Sequence, residues 1–173
     1  MNKGLQNFPI LITERLTLRQ LSIDDTAEIL LLRSDDEINK FFNRKPSRTL
    51  NDALHFIKII IENDDTFYWA VTKTGDEKLI GTICLFDFED DTAKCEIGYE
   101  LRTEYQGQGI MAEAARNVIQ YAADTLGIKT IDASTHKDNK SSTTLLQKLN
   151  FKNLESINPE NPNLISFRLI KFK

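Results

Sequence analysis

Leu101-Arg102-Thr103-Glu104-Tyr105-Gln106-Gly107-Gln108-Gly109-Ile110-Met111-Ala112-Glu113-Ala114-Ala115 is the stretch on which the reading of this 173-residue chain turns. It lies between a β-rich segment, Ala93 to Glu100, and an amphipathic segment from about Gly109 that reads as a long helix. Two glycines one residue apart at the mouth of a helix let the backbone turn tightly and leave its N–H groups unobstructed. The amides from Gln106 to Met111, aided by the positive end of the helix dipole, can hold the two phosphates of a pyrophosphate. The same Gly-x-Gly is also compatible with an ordinary tight turn into a core helix.

The length suits one domain over residues 1–173 with a full-sized core, and 40% hydrophobic with 28% charged residues is the balance of an ordinary soluble globular protein. Met1 to Pro9 carries no apolar core of signal-peptide length, and no later apolar run is long enough to cross a bilayer, so a cytoplasmic location is expected. A net charge of -4, with acidic clusters at Glu62 to Asp65 and Glu89 to Asp91, argues against nucleic acid as a partner. The two cysteines, Cys84 and Cys95, fall on strands expected to be neighbours and read as free thiols.

Alternation from Ile10 to Gln20 predicts a first strand. Ser22 with Asp25, and Ser34 with Glu37, resemble capping boxes that open two helices, the second a short one carrying Ile38, Phe41 and Phe42. A third helix is expected from about Leu50 to Asn63, with Leu54, Ile57, Ile60 and Ile61 facing inward. Phe67 to Lys73, Leu79 to Asp87 and Ala93 to Leu101 read as an antiparallel meander. The helix after Gly109 puts Ile110, Ala114, Val118 and Ala122 on one side and stops near Gly127. Thr130 to Thr135 is then a strand parallel and adjacent to Ala93–Leu101, followed by a helix from Ser141 to Leu149 that ends at Asn150. Phe151 to Ile157 and Leu164 to Phe172 form a last hairpin, whose exposed edge leaves monomer and homodimer both open.

Gln106-Gly107-Gln108-Gly109 after Ile97-Gly98-Tyr99-Glu100-Leu101, with Asp138-Asn139-Lys140-Ser141-Ser142 and Leu149-Asn150-Phe151 further on, resembles the GNAT N-acetyltransferases. With the Thr13-Glu14-Arg15-Leu16 start, the resemblance is to the RimJ/RimL group, which acetylates protein N-termini and various small amines. It implies an α+β, three-layer fold: a mixed, mostly antiparallel central sheet flanked by helices, with splayed central strands. Acetyl-CoA would lie in the wedge between Ala93–Leu101 and Thr130–Thr135, its peptide-like arm along the open strand edge and its pyrophosphate at the helix mouth. The family's phosphate motif is Gln or Arg, two residues, Gly, one residue, then Gly or Ala. Gln106 and Gly109 match it and Met111 departs from it, a departure softened because the contact is made by backbone N–H. The implied cosubstrate-binding set is Tyr99, Leu101, Gln106, Gly107, Gln108, Gly109, Ile110, Met111, Asn139 and Ser142.

Transfer requires a neutral amine, yet a primary amine is mostly protonated at neutral pH. Glu96 matches the glutamate base of some GNAT enzymes, and burial there would raise its pKa toward a useful value; on an exposed sheet face it would be an ordinary carboxylate. Glu100 and Glu160 come after it as candidates. Asn139 reads locally as a helix cap, and by resemblance lies beside the pantetheine. Ser142 matches the family's serine near the thioester sulfur, where its hydroxyl would protonate the leaving thiolate; it also suits the first turn of a helix. The backbone N–H groups from Tyr99 to Leu101 would hold the thioester oxygen. His136 and His55 read as solvated residues, and the sparse histidines and cysteines lack zinc-ligand spacing, so no metal is expected. Phe41 and Phe42 are core aromatics by default, while the resemblance puts them at the acceptor pocket.

The expectation is an acetyl-CoA-dependent N-acetyltransferase working by direct transfer in a ternary complex, without a metal. Its acceptor would be the α-amino group of a protein, a ribosomal one included, or a small amine. The alternative is a non-catalytic acyl-CoA-binding regulatory protein of the same fold, permitted by Met111 and by a C-terminal part shorter than is usual in the group.

Overall fold

The computed structural model describes residues 8–157 and 161–170. Eight strands form one sheet: β1 (Leu11–Ile12), β2 (Leu16–Gln20), β3 (Phe67–Lys73), β4 (Leu79–Glu89), β5 (Lys94–Leu101), β6 (Thr130–His136), β7 (Lys152–Ile157) and β8 (Leu164–Ile170). Their order is β1-β2-β3-β4-β5-β6-β8-β7. Every pair is antiparallel except β5 with β6, the parallel pair that a strand-helix-strand connection produces. Three helices, α1 (Thr26–Ser34), α2 (Asp36–Asn39) and α3 (Leu50–Glu62), precede β3, while α4 (Ile110–Asp124) and α5 (Lys140–Lys148) flank β6 in the chain.

Strand alternation sorts the side chains into two cores. On one face Ala70 and Leu79 meet Ile29, Leu32, Ala53 and Ile57 of α1 and α3. On the other, Trp69, Ile83, Cys95, Ile97 and Ile131 meet Ile110, Ala114, Val118 and Ala122 of α4, with Leu146 and Leu149 at α5. The resulting helix, sheet, helix layering is the expected α+β architecture.

Several local expectations shift. Ile10–Gln20 is two strands, because Thr13 closes a turn: its N–H donates to the Leu16 carbonyl at 2.9 Å and its hydroxyl accepts the Leu16 N–H at 3.0 Å. The Ser22–Asp25 capping box forms, but it caps a single 3-10 turn, Ile23–Asp25, before α1 begins. At α2 the cap is Asp35, not Ser34, and Phe41 and Phe42 follow the helix rather than ride on it. Ile61, in the last turn of α3, is 39% exposed, and Ala53 and Ile57 are the buried residues of that helix. Asn150 adopts the left-handed conformation expected of it, at φ 66°. Phe172 and Glu160 lie outside the described residues.

The two cysteines sit on adjacent strands but are not opposite one another, since Cys84 pairs with Gly98, and they form no disulfide.

Gly81, in β4, lies directly behind the open part of β5. A Cβ there would come within 2.5 Å of the Glu100 carbonyl oxygen and 2.9 Å of Leu101. Gly81→Ala therefore pushes β5 out of register, and urea unfolding is expected to register a loss of about 1–3 kcal/mol. Unchanged stability would show that the β4–β5 spacing is not set by this glycine.

Candidate active site in the wedge between β5 and β6

The ladder between β5 and β6 runs only from Lys94–Thr130 through Cys95–Ile131 to Glu96–Asp132. Beyond it each strand stays fully paired on its other side, β5 with β4 as far as Leu101 and β6 with β8 as far as His136. The two strands therefore part, and a wedge opens between them. The Arg102 N–H donates to the Ile80 carbonyl of β4, so alternation turns the backbone groups of Ile97, Tyr99 and Leu101 toward the wedge. A strand edge of this kind accepts an extended, amide-bearing ligand.

At the wide end, a 3-10 turn, Thr103–Tyr105, leads into the mouth of α4. Gly107 and Gly109 stand at φ 73° and 75°, conformations that side chains resist. Nothing lies within 4 Å of where a Cβ on Gly107 would sit, which leaves room for a ligand against the backbone. Gly109 caps α4 with no side-chain hydrogen bond, so the first-turn N–H groups are free of an internal cap. The glutamines brace the loop: Gln106 Nε2 donates to the Leu101 carbonyl and Gln108 Nε2 to the Glu104 carbonyl, each at 2.9 Å. Ile110 and Met111 turn their side chains into the core, at 4% and 6% exposure. Met111 thus contributes only its backbone to the loop, and its side chain does not obstruct it.

Arg15 and Glu113 complete this end. Glu113 accepts from the Thr13 hydroxyl at 2.6 Å, from the Arg15 N–H at 2.9 Å and from Arg15 Nε at 2.6 Å. Arg15 Nη1 donates to the Gln108 carbonyl at 3.2 Å, placing a half-exposed guanidinium beside the glycine loop. The sequence reading used Arg15 only as part of a motif; no local pattern reveals a partner that distant in the chain.

On the α4–α5 face of the wedge, the Tyr99 and Ser142 hydroxyls are 2.8 Å apart. Asn139 is the cap of α5, its Oδ1 accepting the Ser142 N–H at 3.1 Å. Burial, only partly offset by the Ser142 bond, pushes the Tyr99 phenol up to about 12.

On the opposite face Glu96 sits at the last ladder pair before the strands part. It is half-buried, and burial raises its pKa above the usual carboxylate range, helped by the negative charges of Asp87 and Asp132 and opposed by Lys94. Asp132 is itself engaged by Arg168, with both contacts at 2.7 Å. Farther along β5, both oxygens of buried Glu100 accept from Arg44, at 2.6 and 2.7 Å. Glu100 is thereby committed to holding the segment after α2, and Asp35 holds it too by accepting from the Thr103 hydroxyl at 2.8 Å. Phe41 leans on His136 at the end of β6, with ring centroids 5.9 Å apart. The segment from Asp35 to Arg44 thus touches both sides of the wedge. Phe42 is 39% exposed beneath the Arg44 guanidinium and touches neither strand through a ring contact. His55 is exposed on α3.

These features match known proteins. A family model described as an acetyltransferase (GNAT) domain matches residues 15–152. The chain is 30% identical over 148 residues to the uncharacterized N-acetyltransferase YoaA of Bacillus subtilis (strain 168), covering 84% of each. Its fold is similar to that of a GNAT-family acetyltransferase from Bacillus anthracis, with a TM-score of 0.81 at 18% identity over 94% of this chain and 98% of that one. It is also similar to that of the microcin C7 self-immunity acetyltransferase MccE, solved with acetyl-CoA and AMP, with a TM-score of 0.77 at 22% identity over 92% and 94%. With the family match running through both strands of the wedge and the helix mouth between them, the chain belongs to the GNAT acetyltransferases.

Proposed function

We propose that the chain transfers the acetyl group of acetyl-CoA directly to a primary amine held in the same complex. The observation that carries this reading is the parting of β5 from β6 immediately after Glu96–Asp132, with the α4 mouth at its wide end. The Ile97, Tyr99 and Leu101 backbone suits the pantetheine arm, and the amides from Gln106 to Met111 suit the pyrophosphate. The acetyl-CoA solved with MccE, a protein of similar fold, supports acetyl-CoA as the donor.

The two faces of the wedge carry different chemistry. Glu96, with its raised pKa, takes the proton that the amine must lose on one face, and Ser142 lies on the other, where the sulfur leaves. A backbone N–H between Tyr99 and Leu101 holds the thioester oxygen as charge develops on it. An acyl-cysteine route has little support. Cys95 is fully buried, out of reach of a substrate, and the Cys84 thiol is pushed up to about 12, chiefly by burial, so Cys84 supplies no ready thiolate. Direct transfer follows.

The acceptor is an α-amino group of a protein, a ribosomal one included, or a small amine, as in the RimJ/RimL group. Phe41, between the α2 segment and β6, is the acceptor-side aromatic that this arrangement favours. Of the two features that permit the regulatory, non-catalytic reading, Met111 and the short C-terminus, the first is weakened by the burial of the Met111 side chain in the core.

Isothermal titration with acetyl-CoA, with ATP and NAD as controls, is expected to show binding of acetyl-CoA alone. Free-thiol release against a panel of amines and N-terminal peptides then identifies the acceptor. Binding of the controls but not acetyl-CoA would contradict the proposal.

Glu96→Gln should lower kcat roughly 10²- to 10⁴-fold while leaving acetyl-CoA affinity unchanged. The same substitution has an opposite signature in stability. Because the folded state holds the Glu96 proton above the ordinary value of 4.5, native stability falls as pH rises from there through the raised folded pKa. Thermal unfolding should therefore show Glu96→Gln gaining on the native protein as pH rises from the ordinary value of 4.5 through the raised folded pKa. A gap that narrows over that range would rule out a raised Glu96 pKa.

A further inference from the structure

We propose that Tyr99 and Ser142 form one hydroxyl dyad, in which Tyr99 donates to Ser142 and thereby leaves the Ser142 proton turned to the thioester sulfur. The inference deepens the acetyl-transfer reading and rests on it.

The geometry is specific. Tyr99 belongs to the open part of β5 and Ser142 to the first turn of α5, on the far side of the wedge, so their 2.8 Å contact bridges the two walls. Asn139 fixes the Ser142 backbone through its N–H, and Tyr99 fixes the side chain. Among the described residues the Ser142 hydroxyl has that one side-chain partner. A hydroxyl has a single proton and two acceptor sites, so two hydroxyls bonded to each other use one proton between them and present the other outward.

The direction of the bond follows from acidity. A phenol is a stronger acid than an aliphatic alcohol, so the phenol donates and the serine accepts. Burial keeps the phenol protonated, with no charged group among the causes acting on it, so the donor persists throughout the neutral range. Tyr99 is then a positioning residue that acts through Ser142.

In the reaction the amine nitrogen forms the C–N bond, the C–S bond breaks and its electron pair passes to sulfur. The outward Ser142 O–H donates a hydrogen bond to that thiolate. The protonated acceptor nitrogen gives up two protons by way of Glu96 to solvent, one before attack and one as the C–N bond forms, and the thiolate recovers one from solvent on release, so one proton is released overall and atoms and charge balance.

CoA itself is the probe, since it needs no acceptor. The ultraviolet absorbance of its thiolate is followed against pH when bound to the native protein, to Tyr99→Phe, to Ser142→Ala and to the double variant. The native protein is expected to hold about tenfold more thiolate than free CoA at a fixed pH below the free midpoint. Each single variant should lose most of that excess, and the double variant no more than either, as expected of one unit. Tyr99→Phe keeps the ring and its packing, so it safeguards the test if Ser142→Ala folds poorly. A merely structural latch would change CoA affinity or stability without moving the thiol titration. Identical titration in native protein and Tyr99→Phe, with CoA still bound, overturns the dyad and leaves acetyl transfer standing. No CoA binding by the native protein overturns both.

Discussion

The short ladder between β5 and β6 is the constraint on which the rest depends. Parallel pairing stops at Glu96–Asp132 because each strand is held from behind, β5 by β4 and β6 by β8. Neither strand can bend back to close the gap without giving up a ladder, and buried backbone groups left without partners are costly. The gap is therefore a rigid feature of the sheet, and it exposes peptide groups at a place where a ligand can replace the missing strand. The layers on either side serve it. The α4 core anchors the glycine-marked mouth, while Arg44, paired with Glu100, pins the α2 segment against the acceptor face.

The same wedge separates opposing chemical demands. Deprotonating an amine calls for a carboxylate less acidic than usual; half-burial beside Asp87 and Asp132 raises the Glu96 pKa, which fits it to the base role proposed for it. Releasing a thiolate calls for a hydroxyl donor, the role proposed for the bonded Tyr99 and Ser142 hydroxyls on the other face. Strand alternation alone puts Glu96 and Tyr99 on opposite sides of β5.

Much of this was legible in the sequence because it is local. The meander, the α4 stripe and the Asn139 cap each follow from periodicity or cap chemistry within a few residues, and the resemblance located the wedge and its mouth. The errors were local too: Thr13 breaks the first strand by bonding Leu16, and Asp35 displaces Ser34 as a cap. What the sequence hid is long-range pairing. Arg15 with Glu113, Arg44 with Glu100 and Tyr99 with Ser142 are each more than 40 residues apart, a separation no spacing rule spans. Glu100 illustrates the cost: a candidate base by position, it is a structural anchor by partner. Met111 illustrates the converse, since its side chain, a departure from the motif, lies in the core and away from the loop backbone.

The central claim is that acetyl-CoA replaces the missing strand in the wedge. Amide hydrogen exchange with and without acetyl-CoA tests it most directly. The account predicts slower exchange confined to the wedge-facing amides of Ile97, Tyr99 and Leu101 and to the loop and first turn of α4 from Gln106 to Ala112. Protection elsewhere, with these amides unchanged while acetyl-CoA is bound, would contradict it.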